Sequence, residues 1–289
     1  MSTATAGATV AAALAAAAAR LERAAIAEPR REARLILALA LDRDPGWVLG
    51  HPEHTLGGAS LARFEGLIGR RARHEPFSRL KGSREFWSLD FALSAATLDP
   101  RPDSETLIEA ALALLPDRRA ALSVVDLGTG SGCLLLALLS ELPNATGLGI
   151  DILPGAVNTA QRNAETLGLA ARSRFAVADW RHGLIAEEVD VILANPPYIP
   201  FDEVPHLSPE IRDFDPGVAL DGGKDGLDAY RALGPAITAG LLARHGFAAF
   251  EVGTGQAVRA AGILEESGLK IKEIRRDLAG IERCIIAAH

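Results

Sequence analysis

From Leu122 to His289 short apolar runs alternate with stretches of helical spacing. That alternation restricts the fold more than any other feature of the chain. LSVVDLG, ATGLGIDI, SRFAVADW and VDVILANPPY read as strands, while GCLLLALLSELP and GAVNTAQRNAETLG between them read as helices. Strands joined through helices require crossover connections, which yield a mostly parallel sheet with helices on its faces. GFAAFEVG, LKIKEIRRD and ERCIIAAH add three strands. The last two follow each other so closely that they predict an antiparallel terminal pair. The expected architecture is a doubly wound α/β domain.

Upstream the texture differs. The first 75 residues carry helix signals and little strand. Ala33, Ile36, Leu37 and Ala40 share one helical face, as do Leu61, Phe64, Leu67 and Ile68. DPGWVLGHPEHTLGG between them reads as loop. The Ala-rich opening lacks a basic n-region and runs straight into Arg20, Glu22 and Arg23. It predicts a helix, not a cleaved leader. Phe86, Phe91 and Leu93 alternate with polar or small neighbours, which predicts a hairpin or extended linker. Pro100 and Pro102 hold the next stretch extended, and Asp103 or Ser104 is placed to cap a helix from about Glu105. The predicted division is 1–75 helical, 76–100 hairpin and linker, and 101–289 α/β.

Charge and composition exclude some function classes. The formal net charge of −7 weighs against binding nucleic acid by bulk phosphate attraction, so no direct nucleic-acid partner is expected. No segment has the length and apolarity of a membrane span, and the predicted location is cytoplasmic. Cys133 and Cys284 lie far apart and read as reduced thiols, and the seven histidines form no ligand-spaced pair. No metal site is predicted.

Two constellations carry chemistry. In VVDLGTGSGCLLLAL, Gly128, Thr129, Gly130, Ser131 and Gly132 form a glycine-rich turn between a strand and a helix. Glycine lets a ligand approach such a backbone closely. The spacing is G-x-G-x-G, and no Lys-Ser/Thr follows it, so a P-loop is excluded. Asp126 ends the first strand and Asp151 the second. An acid at the tip of the second strand is placed to accept from the two hydroxyls of an adenosine ribose. Asp179 and Trp180 end the third strand, where an acid can reach an adenine amino group and an aromatic ring can border the base. Adenosine without phosphate is the ligand these residues suit, and S-adenosylmethionine is the common cofactor of that description.

The second constellation is DVILANPPYIP, Asp190 to Pro200. Asn195 follows the fourth strand and so lies on the same ligand-binding edge. Its side-chain carbonyl and the Pro196 backbone carbonyl can act as a fixed pair of acceptors, because Pro196 and Pro197 remove backbone freedom. Such a pair suits a planar NH2 group, and Tyr198 offers a wall for it. A rigid strand exit would account for the prolines, but not for Asn195 and Tyr198 beside a nucleoside cradle.

Taken together, DLGTGSG, DI, DW and NPPYI in this order resemble the class I amino-methyltransferases. RPDSE, LDGGKDGLDAYRAL, FEVGTGQ and RDLAGIER narrow the likeness to the peptide chain release factor glutamine N5-methyltransferases. It is dense from about Pro76 to Ala287 and looser over the helical start. The resemblance implies a Rossmann-like, seven-stranded, mostly parallel sheet with an antiparallel terminal pair, and a small all-α N-terminal domain joined by a β-hairpin linker. It implies that Gly128 to Gly132, Asp151, Trp180 and Asn195 contact S-adenosylmethionine, which leaves as S-adenosylhomocysteine. It also implies that Asn195 to Tyr198 hold the glutamine of a Gly-Gly-Gln loop in class 1 release factors, and that the helical domain helps grip the factor. Two places depart from the family pattern: Asp99 replaces an apolar residue, and EPFSRLKGSREFW lacks an aromatic-Ile-x-Gly run. Three other readings share some of the motifs: an adenine-N6 DNA methyltransferase, a ribosomal-protein or RNA amino-methyltransferase, and an inactive interaction module.

Overall fold

The computed structural model describes residues 8–182 and 188–289. The first seven residues of the Ala-rich opening therefore lie outside the described residues. The chain divides into two compact units, Met1–Gly82 and Ser83–His289.

The first unit is helical: α1 Val10–Arg23, α2 Pro29–Leu41, α3 Pro45–Gly50, α4 Gly58–Arg71 and α5 Phe77–Lys81. Its core collects Ile36, Leu37, Phe64 and Ile68 from the stripes that the helical spacing singles out, together with Val10, Leu21 and Val48. Arg71 Nε donates to Glu32 Oε2 at 2.8 Å, tying α4 to α2. The loop predicted over DPGWVLGHPEHTLGG is corrected in part. Pro45 opens α3, and Asp44 Oδ1 caps it by accepting from the Gly46 N–H at 2.6 Å. Gly46, Gly50 and Pro52 obscure that start signal in the sequence.

The second unit begins with a hairpin, β1 Ser83–Phe86 and β2 Leu89–Ala92. The stretch from residue 76 thus gives α5 to the first unit and the hairpin to the second. Trp87 and Ser88 form its two-residue turn with φ 53 and 59. Asn-Gly is the usual choice for such positive φ values, so the turn is hard to see in the sequence. The Trp87 N–H donates to Glu105 Oε1 at 2.8 Å and its indole N–H to Glu141 Oε1 at 2.9 Å. Phe86 and Phe91 are both buried and meet edge to face, with ring centroids 6.4 Å apart.

Next come α6 Glu105–Leu114, β3 Ser123–Leu127, α7 Cys133–Glu141, β4 Thr146–Asp151, α8 Pro154–Thr166, β5 Ser173–Val177, β6 Val189–Ala194, α9 Pro209–Arg212, α10 Asp228–Ala236, β7 Leu242–Glu251, α11 Ala257–Glu266, β8 Lys270–Arg276 and β9 Glu282–Ala288. The seven strands after the hairpin form one sheet in the order β5-β4-β3-β6-β7-β9-β8. β3 to β7 run parallel, while β9 is antiparallel to both β7 and β8, as the terminal strands predict. Side chains alternate across it. Val124, Val191, Leu193, Ala249 and Ile286 pack with α6, α7 and the hairpin. Val125, Ile192, Phe250 and Ile285 pack with α10 and α11. Burial on both faces explains why these strands read as near-continuous apolar runs.

The sheet changes direction of winding at β3, with β4 on one side and β6 on the other. Open α/β sheets bind ligands outside the carboxyl ends of strands at such a switch point. One core contact is testable. Phe91→Ala should destabilise the second unit by about 3–5 kcal/mol, the range for emptying a buried phenylalanine site, read as a lower midpoint in urea unfolding.

Candidate active site

The register of the sheet brings the two constellations together. β3 pairs with β6 so that Leu127 lies opposite Ala194, and the next residues are Gly128 and Asn195. A cleft opens here, lined by Gly128 to Ser131, Asp151, Trp180, Asn195 and Pro197, together with Pro100, Arg101 and Ser104.

The glycine turn is built for close approach. Gly128, Gly130 and Gly132 have φ of 83, 56 and 81, a region that side chains disfavour. A Cβ on Gly128 would meet the Trp180 ring at 3.2 Å, and one on Gly132 would meet Ala160 Cβ at 3.1 Å. The Gly130 N–H donates to Asp151 Oδ2 and the Leu153 N–H to Asp151 Oδ1, both at 2.9 Å. From α8, Asn163 Nδ2 donates to the Ser131 carbonyl at 2.8 Å, and its Oδ1 accepts from the Ala92 N–H at 2.9 Å. The cradle is thereby fixed to the hairpin.

Burial raises the pKa of three carboxyls at strand ends. Asp151 moves upward, held back by the backbone N–H groups of Leu153 and Gly130. Asp126 is fully buried and pushed up to about 7, although Thr129 Oγ1 donates to its Oδ2 at 2.7 Å. Glu251, at the end of β7, also rises to about 7, with Ser104, Arg283 and Tyr198 pulling it back. Burial likewise pushes the Cys133 thiol up to about 12, which rules out a thiolate nucleophile at the cleft wall.

Asn195 Nδ2 donates to Ser104 Oγ at 3.2 Å. Ser104 stands at the N-cap position of α6, but its hydroxyl makes no capping bond there. The chain enters α6 through the 3₁₀ turn Pro102–Ser104, and the hydroxyl serves the strand end instead of the first helical N–H groups. Tyr198 OH donates to Glu251 Oε1 at 3.3 Å, and Gln256 Nε2 donates to the Tyr198 carbonyl at 2.7 Å. Burial, followed by the Glu251 charge, holds the phenol above its ordinary range, so it stays protonated. Gly132, Pro196 and Tyr198 are not among the residues that line this cleft. Asp179 faces an adjacent cavity, and Arg181 clamps both of its oxygens, at 2.9 and 3.0 Å from Nε and 2.7 Å from Nη2. Trp180 Nε1 is buried without a hydrogen-bond partner, an orphaned donor on a cleft-lining residue.

Ser104, Glu251 and Arg101 are the residues that strand-tip reading misses. Arg101 Nη2 donates to the buried Asp215 Oδ2 at 2.8 Å, linking one cleft wall to the segment after Pro200. The Asp99 N–H donates to Asp215 Oδ1 at 3.3 Å, so the departure at position 99 lies beside this clamp. Glu251 obeys the same rule as Asp126 and Asp151, an acid at the carboxyl end of a strand, and that signal could have found it. Among the described residues no group of three or more His, Cys, Asp or Glu gathers as a metal site, and no helix is long and apolar enough to cross a membrane.

Residues 12–82 match the family described as PrmC N-terminal domain, and residues 118–213 the one described as Methyltransferase domain. The release factor glutamine methyltransferase of Rhodospirillum rubrum is 51% identical over 268 residues, covering 93% of this chain and 81% of that one. The protein of the same description from Bradyrhizobium diazoefficiens is 44% identical over 273 residues, covering 93% and 91%. Among solved structures, the hMettl16 catalytic domain aligns at TM-score 0.58 with 15% identity, over 77% of this chain and 81% of that one, a likeness of fold alone.

The buried carboxyls give a pH prediction with a definite sign. Between about pH 4 and 7 the folded chain holds a proton on Asp126 that the unfolded chain has released, so this group's contribution to stability falls as pH rises. Asp126→Asn should therefore gain stability relative to the parent between about pH 5 and about pH 8, read from urea midpoints at both.

Proposed function

The chain belongs to the release factor glutamine methyltransferases, and we propose that its cleft transfers a methyl group from S-adenosylmethionine to the side-chain amide nitrogen (N5) of the glutamine in the Gly-Gly-Gln loop of class 1 release factors. The observation that carries this reading is the 51% identity to a release factor glutamine methyltransferase across 93% of the chain. That likeness spans the helical unit as well as the α/β unit. A nucleic-acid methyltransferase sharing only the Asn-Pro-Pro-Tyr stretch would not extend so far.

The residues present fit the cofactor. When bound, S-adenosylmethionine supplies an electrophilic methyl group on a sulfonium and leaves as S-adenosylhomocysteine. Gly128 to Gly132 would admit its adenosine portion against bare backbone. Asp151 spends one lone pair per oxygen on the cradle's N–H groups, so both oxygens keep capacity for ribose hydroxyls. Trp180, packed against Gly128, would border the base. Asp179 reaches an adenine amino group only if Arg181 yields some of its bonds.

For the target amide, Asn195 Oδ1 and the Pro196 carbonyl are the two acceptors, and Tyr198 walls the slot. An amide nitrogen is a poor nucleophile because its lone pair is delocalised. Two acceptors on its hydrogens raise electron density at nitrogen and aim it at the methyl group. Orientation contributes most of the acceleration, and matching of the charge that develops at nitrogen adds to it. Bound there, the cofactor would supply the methyl group and keep the C–S bonding pair, while Asn195 Oδ1 and the Pro196 carbonyl would hold the amide nitrogen until its proton passes to water. Neither Tyr198 nor Cys133 is ionised, and no strong base is needed. The helical unit is assigned to holding the factor, and the cytoplasm is where such a substrate is met.

Incubation with labelled cofactor, a class 1 release factor and adenine-containing duplex DNA tests the reading. Label is expected on the factor's glutamine; label on the DNA alone would overturn it. Asn195→Ala should lower kcat by roughly 10²-fold or more, the scale for loss of one preorganised hydrogen-bonding group, while S-adenosylhomocysteine still binds. Undiminished turnover would refute the acceptor role.

A further inference from the structure

An asparagine side chain is nearly symmetric in shape, and a half-turn about its last bond exchanges an acceptor for a donor. A site that must accept two amide hydrogens works only when the Asn195 oxygen faces the cleft. Something has to fix that polarity. Asn195 Nδ2 donates to Ser104 Oγ at 3.2 Å, and Ser104 is 2% exposed. A hydroxyl whose lone pair serves Asn195 still has one proton to place. Glu251 is the acceptor at hand. It is 1% exposed, the Ser104 hydroxyl lowers its pKa, and its Oε2 is buried without a hydrogen-bond partner. Its Oε1 accepts from Tyr198 OH at 3.3 Å. An ionised carboxylate can only accept, so the Tyr198 hydroxyl directs its proton to Oε1, and the unpartnered Oε2 is left open to the Ser104 proton.

We propose that Ser104 and Glu251 are positioning residues for methyl transfer: the Glu251 carboxylate orients the hydroxyls of Ser104 and Tyr198, and Ser104 in turn holds Asn195 with Oδ1 toward the target amide. This rests on the reading that Asn195 receives the substrate amide. Both residues act through others and touch no reacting atom.

The proposal carries a pH dependence. Arg283 of β9 faces Glu251 and lowers its pKa, while Asp103 before α6 raises it. Arg283 is itself shared with Asp277 and Asp103, each at 3.3 Å. Tyr230 of α10 donates to the Glu251 backbone carbonyl at 2.7 Å. Tyr230, Cys284 of β9 and Cys133 of α7 feel the Glu251 charge and are pushed up, above all by burial, so they stay neutral. Burial outweighs Arg283 and leaves the Glu251 carboxyl at about 7. Once protonated, Glu251 becomes a donor. The Ser104 hydroxyl is then released to donate to Asn195 Oδ1, and the amide can turn its NH2 into the cleft. Turnover falls as pH drops through this titration.

Glu251→Gln is neutral at every pH and brings a donor of its own. It should lower kcat on a release factor by on the order of 10- to 100-fold, the cost of a misoriented reacting group. KM and the affinity for S-adenosylhomocysteine should change by no more than about threefold, the pattern of a group that acts on the transition state. The acid limb of the kcat profile near neutrality should disappear. Ser104→Ala should share the loss, and Ser104→Thr, which keeps the hydroxyl, should restore turnover. If Glu251→Gln fails to fold, the Ser104→Ala and Ser104→Thr pair decides. Ser104→Ala at the parental kcat, or a folded Glu251→Gln that keeps the parental acid limb, overturns the proposal. Asn195→Ala assayed in parallel separates the two claims. Full turnover there refutes the acceptor role itself, whereas loss there with normal turnover in the other variants refutes only the positioning chain.

Discussion

Parallel pairing of β3 with β6 decides where every other part of the site can be. With Leu127 opposite Ala194, the glycine turn and the Asn-Pro-Pro-Tyr stretch leave the sheet side by side. β4 on the other flank of β3 delivers Asp151 to the same edge, where it receives the Gly130 N–H. A one-residue slip would turn the alternating apolar side chains to the wrong faces of a sheet buried on both sides. The register is therefore held by the core, through Val124, Val125, Val191 and Ile192. The geometry of the cleft inherits the rigidity of that packing. The two prolines after Asn195 extend it one step beyond the last strand residue.

The same packing explains the raised carboxyls. Strand ends at this edge are buried beneath the hairpin and α6 on one face, and α10 on the other. An acid placed there loses water before it gains a full set of partners. Asp126 and Glu251 each keep one buried oxygen without a hydrogen bond. Burying such groups works against folding, and buried polar groups normally find partners. Asp126 accepts from Thr129 in the glycine turn, and Glu251 accepts from Tyr198 of the Asn-Pro-Pro-Tyr stretch.

Much of this was legible in the sequence because strand tips on a parallel sheet share one edge. Gly128, Asp151, Trp180 and Asn195 are far apart along the chain, yet each ends a recognisable strand, and the structure brings all four to one cleft. What escaped depends on contacts that the local pattern does not carry. Ser104 stands where a helix cap is expected, but Asn195, 91 residues on, takes its hydroxyl. Asp179 has the right strand-tip position, and Arg181 two residues later captures its carboxylate. The Trp87–Ser88 turn adopts positive φ without glycine or asparagine, so its signal is weak. The misses at Ser104 and Asp179 are side chains whose partners were decided by competition between nearby groups.

We propose that Asn195 and Pro196 present two acceptors to a planar amide. A crystal structure of the protein with S-adenosylhomocysteine and a release factor tests it most directly. The glutamine amide nitrogen is expected within hydrogen-bond distance of both Asn195 Oδ1 and the Pro196 carbonyl, with Asn195 Nδ2 still on Ser104. A glutamine amide bound elsewhere, or one facing the Asn195 NH2 group, would contradict it.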